Sequence, residues 1–270
     1  MSDQKELKDD VIGHNILVHA KEAPVYEAIH PQLFNWYHTR KSLHDLSRIF
    51  IYFEPKDKIR VLDLGCGTGF LTMKAFLWEN IQITAVDLSK EMLTVLESKL
   101  TLPQKDKILL VNREAVSFLQ CNTVKFDLIM TSALLHHIVD FRELVGLAVK
   151  SLKKDGMLYI AFEPLRQHIE GKFQYLLHRA VRRLDMMIFN VRMKLRGINI
   201  DALHEKSMAD YQTLIGGGID PNDVISCLGN NGTIIRFDKF AARGSGILAF
   251  IADRVVKSQN SFSIIFRKTS

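Results

Sequence analysis

Cysteine is close to absent from this sequence. The three that occur, Cys66, Cys121 and Cys227, are odd in number and widely separated. That pattern excludes a disulfide framework and a short-spaced metal cluster, and it fits a reducing compartment. Long apolar runs are missing as well: none approaches the roughly 18–20 residues that a membrane-spanning helix needs. The opening stretch MSDQKELKDD is polar and charged, without the apolar segment of a secretory signal. These absences together lead to the expectation of a cytoplasmic protein. There is no internal repeat and no low-complexity tract. Hydrophobic residues make up 47% of the chain and charged residues 24%, the balance of a soluble globular protein rather than a disordered one. Its 270 residues suffice for one large domain, or one domain with a cap.

What is present is an alternation of short apolar runs and amphipathic stretches, the pattern of a parallel sheet covered by helices. Strands are expected at Arg60–Leu64, Ile81–Asp87, Lys107–Asn112, Phe126–Thr131 and Met157–Phe162. Helices are expected between them at Phe70–Trp78, at Ser89–Lys99 with Ser89 as N-cap, and at Phe141–Leu152. Residues 1–58 read as helical. Residues from about 165 to 230 interrupt the alternation, and strand signals return at Thr233–Phe240 and Phe262–Lys268. The apolar stretch Ile247–Val256 fits a helix or a strand equally.

The strongest local signal is VLDLGCGTGF, Val61–Phe70, at a strand-to-helix turn. Gly65, Gly67 and Gly69 permit a tight turn and let backbone N–H groups approach a ligand without side chains in the way. Asp87 closes the next strand, where a ribose-binding carboxylate belongs in a nucleotide fold. The spacing G-x-G-x-G departs from the dinucleotide fingerprint G-x-G-x-x-G, which seats a pyrophosphate on a helix N-terminus. Asp63, two residues before the first glycine, would repel a pyrophosphate but suits an ammonium group. A nucleoside carrying an ammonium and no phosphate is S-adenosylmethionine, so charge favours it over a nicotinamide dinucleotide.

On these motifs, residues 58–163 resemble the class I S-adenosylmethionine-dependent methyltransferases. The resemblance implies an α/β fold: a Rossmann-like three-layer sandwich on a seven-stranded, mostly parallel sheet with an antiparallel last strand, plus a helical cap. Its first motif is matched by Asp63-Leu64-Gly65-Cys66-Gly67-Thr68-Gly69, which implies that Asp63 contacts the methionyl amine directly or through water. Asp87 matches the acid that grips the ribose hydroxyls, with Leu88 beside the adenine. Glu114, in Asn112-Arg113-Glu114-Ala115, stands where the family has an acid bonded to the adenine amino group. Thr131, in FDLIMTSALLHHIVD, falls in the fourth-strand motif near the methionine moiety. Tyr26 is the tyrosine that such an N-terminal segment would place near the methionine carboxylate. The implied organisation is a helical segment over the cofactor site (1–58), a core (59–164 and 231–270) and an acceptor-binding helical insertion (165–230).

The sulfonium of this cofactor is already an activated methyl donor, so the protein has mainly to align a nucleophile and exclude water. A base is needed only for a poorly ionised hydroxyl or a protonated amine. His136, His137 and Glu163 are the candidates, with His168 a weaker fourth; no metal is expected. The insertion carries eight basic residues against two acids over 166–196, so its surplus of six equals the +6 of the whole chain. Interleaved apolar residues, including Met186, Met187 and Met193, leave four readings: a lid over an apolar or acidic small molecule, a contact with an anionic membrane surface, a phosphate contact with RNA, or a solvated basic face. No Asn-Pro-Pro-Tyr motif, Pro-Cys nucleophile or RNA-binding module is present, which disfavours nucleic acid. The expectation is therefore methyl transfer to a small molecule. A methyltransferase of RNA or protein, and a cofactor-binding protein with lost or altered activity, remain as alternatives.

Overall fold

The computed structural model describes residues 2–54, 58–166, 172–200 and 208–269. Seven strands form one sheet: β1 (Ile59–Leu64), β2 (Ile81–Asp87), β3 (Ile108–Asn112), β4 (Phe126–Ser132), β5 (Leu152–Pro164), β6 (Gly232–Phe240) and β7 (Ser261–Lys268). Their order is β3-β2-β1-β4-β5-β7-β6, with β1 to β5 parallel and β7 antiparallel to both neighbours. This is the expected sheet, antiparallel last strand included.

The central strands are apolar on both faces because helices cover both. Val61, Ile83, Leu128 and Met157 pack on one face with Leu46 and Ile49 of α2 (Trp36–Phe50) and Leu93 and Leu96 of α3 (Lys90–Lys99). Leu62, Ile129 and Ile160 pack on the other with α4 (Ala115–Cys121) and α5 (Phe141–Ser151). Ser89 caps α3 as expected, its hydroxyl accepting from the Met92 N–H at 3.2 Å. Ahead of the sheet lies α1 (Ser2–Glu22). After β5 come α6 (Lys172–Leu195), α7 (Tyr211–Gly216) and α8 (Pro221–Leu228), and α9 (Gly246–Ile251) lies between β6 and β7.

Three expectations need adjusting. The helix expected over Phe70–Trp78 shrinks to Thr72–Ala75, flanked by turns. The ambiguous Ile247–Val256 is helical throughout, as α9 and one wide turn after it. Strand β5 runs to Pro164, past a register shift between Ile160 and Glu163, where Phe162 adopts φ 59°. A bulky residue in left-handed geometry is strained, and here the bulge re-aims the residue that follows it. Among the described residues, no helix is long and apolar enough to cross a membrane.

Candidate active site

The strand order reverses between β1 and β4, and a sheet of this kind binds ligands outside its carboxyl ends at that point. A cleft of about 800 Å³ lies there. Its floor comes from the ends of four strands: Gly65 and Gly67 after β1, Val86 and Asp87 on β2 with Leu88 just past it, Arg113 to Ala115 after β3, and Ser132 at the end of β4 with Ala133 and Leu134 after it. Helix α1 roofs it with Lys8, Val11, Ile12, Asn15 and His19.

The glycines divide their work. At Gly67 (φ 51°) an added Cβ would meet nothing within 4 Å, so the absent side chain leaves open space at the cleft. At Gly65 (φ 63°) it would lie 2.7 Å from Leu134, and at Gly69 (φ 95°) 2.5 Å from Leu96, so Gly69 serves packing behind the loop. Asp87 is 9% exposed, and its carboxylate accepts from the Gly67 N–H at 2.7 Å and the Ser89 N–H at 2.9 Å. Burial pushes its carboxyl up to about 6 against those hydrogen bonds. Asp63 is buried below the loop and does not line the cleft; its Oδ2 accepts from Thr72 Oγ1 at 2.6 Å, while Oδ1 has no partner among the described residues. Burial raises this carboxyl to about 7.

The remaining expected cofactor residues separate into lining and supporting ones. Leu88, Glu114 and Tyr26 line the cleft. Glu114 also caps α4, its two oxygens accepting from Val116 and Ser117 N–H at 3.0 and 2.6 Å. Cys66 belongs to the core, and burial pushes its thiol well up. Thr131 is buried beneath the floor; the next residue, Ser132, reaches the cleft, and its hydroxyl has no partner among the described residues. Ser132, Asn15 and His19 are lining residues that the sequence reading missed. Strand alternation past Thr131 could have pointed to Ser132, whereas the two α1 residues carry no motif.

Beside the cleft opens a chamber of about 2450 Å³ including its mouth. Tyr26, His19, Ala133 and His137 line both spaces. Tyr26 is thus the dividing wall, and burial pushes its hydroxyl far above the usual tyrosine range. Phe162, Phe189, Met186 and Met208 supply apolar surface, while His30, His136, Asp210, Glu22 and Asp185 supply polar groups.

The three catalytic candidates meet at one wall, in unequal positions. Glu163 is 0% exposed and lines neither space. Its Oε1 accepts from Leu134 and Leu135 N–H at 2.8 and 2.9 Å, and its Oε2 from His136 N–H at 3.3 Å and His136 Nδ1 at 3.0 Å. It therefore holds the turn and the imidazole rather than facing a substrate. Burial alone would lower the His136 pKa, but the Glu163 carboxylate outweighs it and raises the value. His137 donates Nδ1–H to the Ala209 carbonyl at 2.8 Å, and burial together with His136 lowers its pKa to about 4. Asp210, which no motif indicated, lies 3.7 Å from His136 Nε2 and 3.5 Å from His137 Nδ1. His168 lies outside the described residues.

A family described as "Methyltransferase domain" matches residues 55–194, more than half of the chain. The chain belongs to this family. Within it, this methyltransferase domain is 33% identical over 107 residues to a malonyl-[acyl-carrier protein] O-methyltransferase of Acetivibrio thermocellus, covering 39% of this chain and 36% of that protein. A second protein of that name, from Bacillus anthracis, is 28% identical over 121 residues, covering 44% and 43%. The chain thus spans about two-fifths of the length of these relatives. The plantazolicin methyltransferase BpumL, solved with S-adenosylhomocysteine, shares the fold with a TM-score of 0.55 at 12% identity, over 99% of both chains. The [4+2]-cyclase SpnF shares it too, with a TM-score of 0.54 at 14% identity, over 86% of this chain and 81% of that one.

The cofactor is S-adenosylmethionine, and the residues present fit it. Gly67 leaves room for close approach, Asp87 presents a carboxylate at the cleft, and Asp63, behind the loop, keeps one carboxylate oxygen without a partner among the described residues.

Proposed function

We propose that this chain is a cytoplasmic methyltransferase that moves the methyl group of S-adenosylmethionine to a small-molecule acceptor held in the chamber. The observation that carries the reading is the wall shared by the cleft and the chamber, formed by Tyr26, His19, Ala133 and His137. When bound, S-adenosylmethionine supplies an activated methyl on a sulfonium. The chain's own residues do the rest. Asp87 and Leu88 bind the nucleoside end, and Asp63 and the Gly65–Gly69 loop the amino-acid end, with Cys66 contributing its backbone. Glu114 supports the adenine side while capping α4, and Thr131 underlies the floor whose surface is Ser132. Tyr26 and α1 close the cleft against water. The chamber orients the acceptor in line with the methyl group. An acceptor proton leaves toward the wall of His136 and His137, with Glu163 as a positioning residue. In this division, 59–164 and 231–270 form the core that holds the cofactor, 1–58 lies over the cofactor site, and 165–230 shapes the acceptor side.

Saturable S-adenosylmethionine binding by calorimetry tests the first half. Asp87→Ala is expected to weaken it tenfold or more, since a carboxylate bonded to two hydroxyls contributes on the order of 1.5–3 kcal/mol; unchanged affinity would sink the assignment. Transfer of label from methyl-tritiated cofactor tests the second half. Label in small-molecule extracts supports the proposal, and label confined to RNA or protein fractions supports the macromolecular alternative. The likeness to a protein named as a cyclase supports keeping altered activity as a reading, because a shared fold does not dictate a reaction.

A second reading concerns the insertion. Leu176, Met187, Val191 and Leu195 are exposed along one side of α6, with Arg179, Arg183 and Lys194 exposed beside them. An apolar stripe edged by cations suits an anionic membrane surface, and with it an acceptor of lipid character.

A further inference from the structure

We propose that His136, His137 and Asp210 form a binding site for a divalent transition-metal ion in the chamber wall beside the cleft. Each of the three offers one ligand atom, and these atoms all lie within 4.8 Å of one another. Two imidazoles and one carboxylate are a donor set for zinc, iron or manganese rather than for calcium or magnesium, which prefer oxygen alone. Metal–ligand bonds of roughly 2.0–2.2 Å place neighbouring ligand atoms about 3–3.5 Å apart, so the trio has only a short distance to close.

The hydrogen bonds behind the imidazoles prepare them for this role. The Ala209 carbonyl can only accept, so His137 donates Nδ1–H to it and keeps the Nε2 lone pair; Nδ1 is also the nitrogen 3.5 Å from Asp210, so ligation through Nε2 requires the Asp210 carboxylate to turn toward that side of the ring. His136 directs Nδ1 to the fully buried Glu163 carboxylate, which likewise leaves Nε2 as the outward acceptor. A carboxylate or carbonyl behind each ligating histidine is the supporting arrangement found around metals, fixing the tautomer and the ring orientation. Glu163 is in turn fixed by three backbone N–H groups, so His136 is held from two layers down.

Charge distribution is an independent indication. The whole chain carries +6, yet the chamber is lined by Glu22, Asp185 and Asp210 and, among the described residues, by no lysine or arginine. A cavity that keeps carboxylates and sheds cations in a basic protein is arranged for a positively charged occupant. Three protein ligands leave coordination positions facing the chamber. An ion there would bind an acceptor oxygen and lower the pKa of its hydroxyl or enol, so that no free base is required. That consequence rests on the methyl-transfer reading; the ion site does not.

The test uses the full chain, stripped with a chelator and titrated with Zn²⁺ alone by calorimetry, with Co²⁺ absorption as a second readout. The expected result is one ion per chain, with affinity reduced in His136→Ala and in His137→Ala by more than the roughly 10–100-fold typical of losing an outer-shell partner. Asp210→Asn is the gentler variant, since Asp210 is exposed and outside the Glu163 network. It is expected to weaken Zn²⁺ at least tenfold while S-adenosylhomocysteine binding, measured on the same sample, stays intact. No saturable binding, or binding equal in Asp210→Asn and the native chain, overturns the site. Methyl transfer without metal dependence but with intact Zn²⁺ binding overturns only its link to the reaction. Zn²⁺ binding without any methyl transfer counts against the catalytic reading and leaves the site standing.

Discussion

Two carboxylates, Asp87 at the cleft and Asp63 beneath its glycine loop, hold more of the chemistry than their small number suggests. Burial raises Asp63 to about 7 and Asp87 to about 6. An acid raised by folding keeps a proton that the unfolded chain has lost. Its stabilising contribution is therefore complete below the usual value of 3.8 and disappears as the pH rises through 6 to 7. Cofactor binding has the opposite sign, because an ammonium beside Asp63 favours the ionised carboxylate. S-adenosylmethionine affinity is thus expected to rise between about pH 5.5 and 7.5 by calorimetry, with the upper part of the rise missing in Asp63→Asn. An identical pH profile in that variant would remove Asp63 from the ammonium site. The glycines give a complementary separation. Gly69→Ala forces a methyl against Leu96 at a φ of 95°, and a loss of about 1–3 kcal/mol in denaturant melts is expected. Gly67→Ala shares the backbone strain without that clash, so its larger effect is expected on cofactor affinity. Equal effects of both substitutions on affinity would contradict this division.

At the scale of elements, sequence reading succeeds where one local rule decides the structure. The buried parallel strands are continuous apolar runs, and Ser89 sits where only an N-cap makes sense. The same rule overran at Phe70–Trp78, since apolar residues packing a tight turn look like a helix when position is unknown. The wall of the chamber was half legible: His136 and His137 follow a recognisable strand, but Asp210 comes from a distant turn that only folding brings to them. Glu163 was legible as a candidate, but the strained Phe162 bulge, invisible in the sequence, decides where its side chain goes. Helix α6 was legible as basic and apolar, but its two sides were not assigned. One side carries Phe189 and the partly exposed Met186 to the chamber, and the other exposes Leu176, Met187 and Val191. Binding to vesicles rich in anionic phospholipid, and little to neutral ones, is expected in cosedimentation. Charge reversal of Arg179 and Arg183 together should reduce it at least tenfold at low salt. Equal binding to both vesicle types would dismiss the membrane contact.

At the scale of the whole molecule, the sheet contributes only the floor of the site, and the roof is borrowed from the chain's beginning. Helix α1 is polar over most of its length, yet Val11 is 1% and Asn15 5% exposed. Asn15 donates across to the His137 carbonyl at 3.3 Å, and its Oδ1 has no partner among the described residues. A helix with so few apolar contacts is held weakly, and elements that cover ligands are drawn from the less stable part of a fold. A cofactor in the cleft would add contacts to Lys8, Ile12, Asn15 and His19 at once, and so tie the roof to the sheet. The dividing residues Tyr26 and His19 lie on or just after this helix, so roofing the cleft and shaping the chamber become one event. Cofactor would then be expected to bind before acceptor. Hydrogen exchange followed by mass spectrometry should show α1 exchanging rapidly in the free protein and slowing at least tenfold with saturating S-adenosylhomocysteine, while β1, β4 and β5 stay unchanged. Protection spread evenly over the chain, or absent from α1, would show that the N-terminal helix is not the element that closes the site.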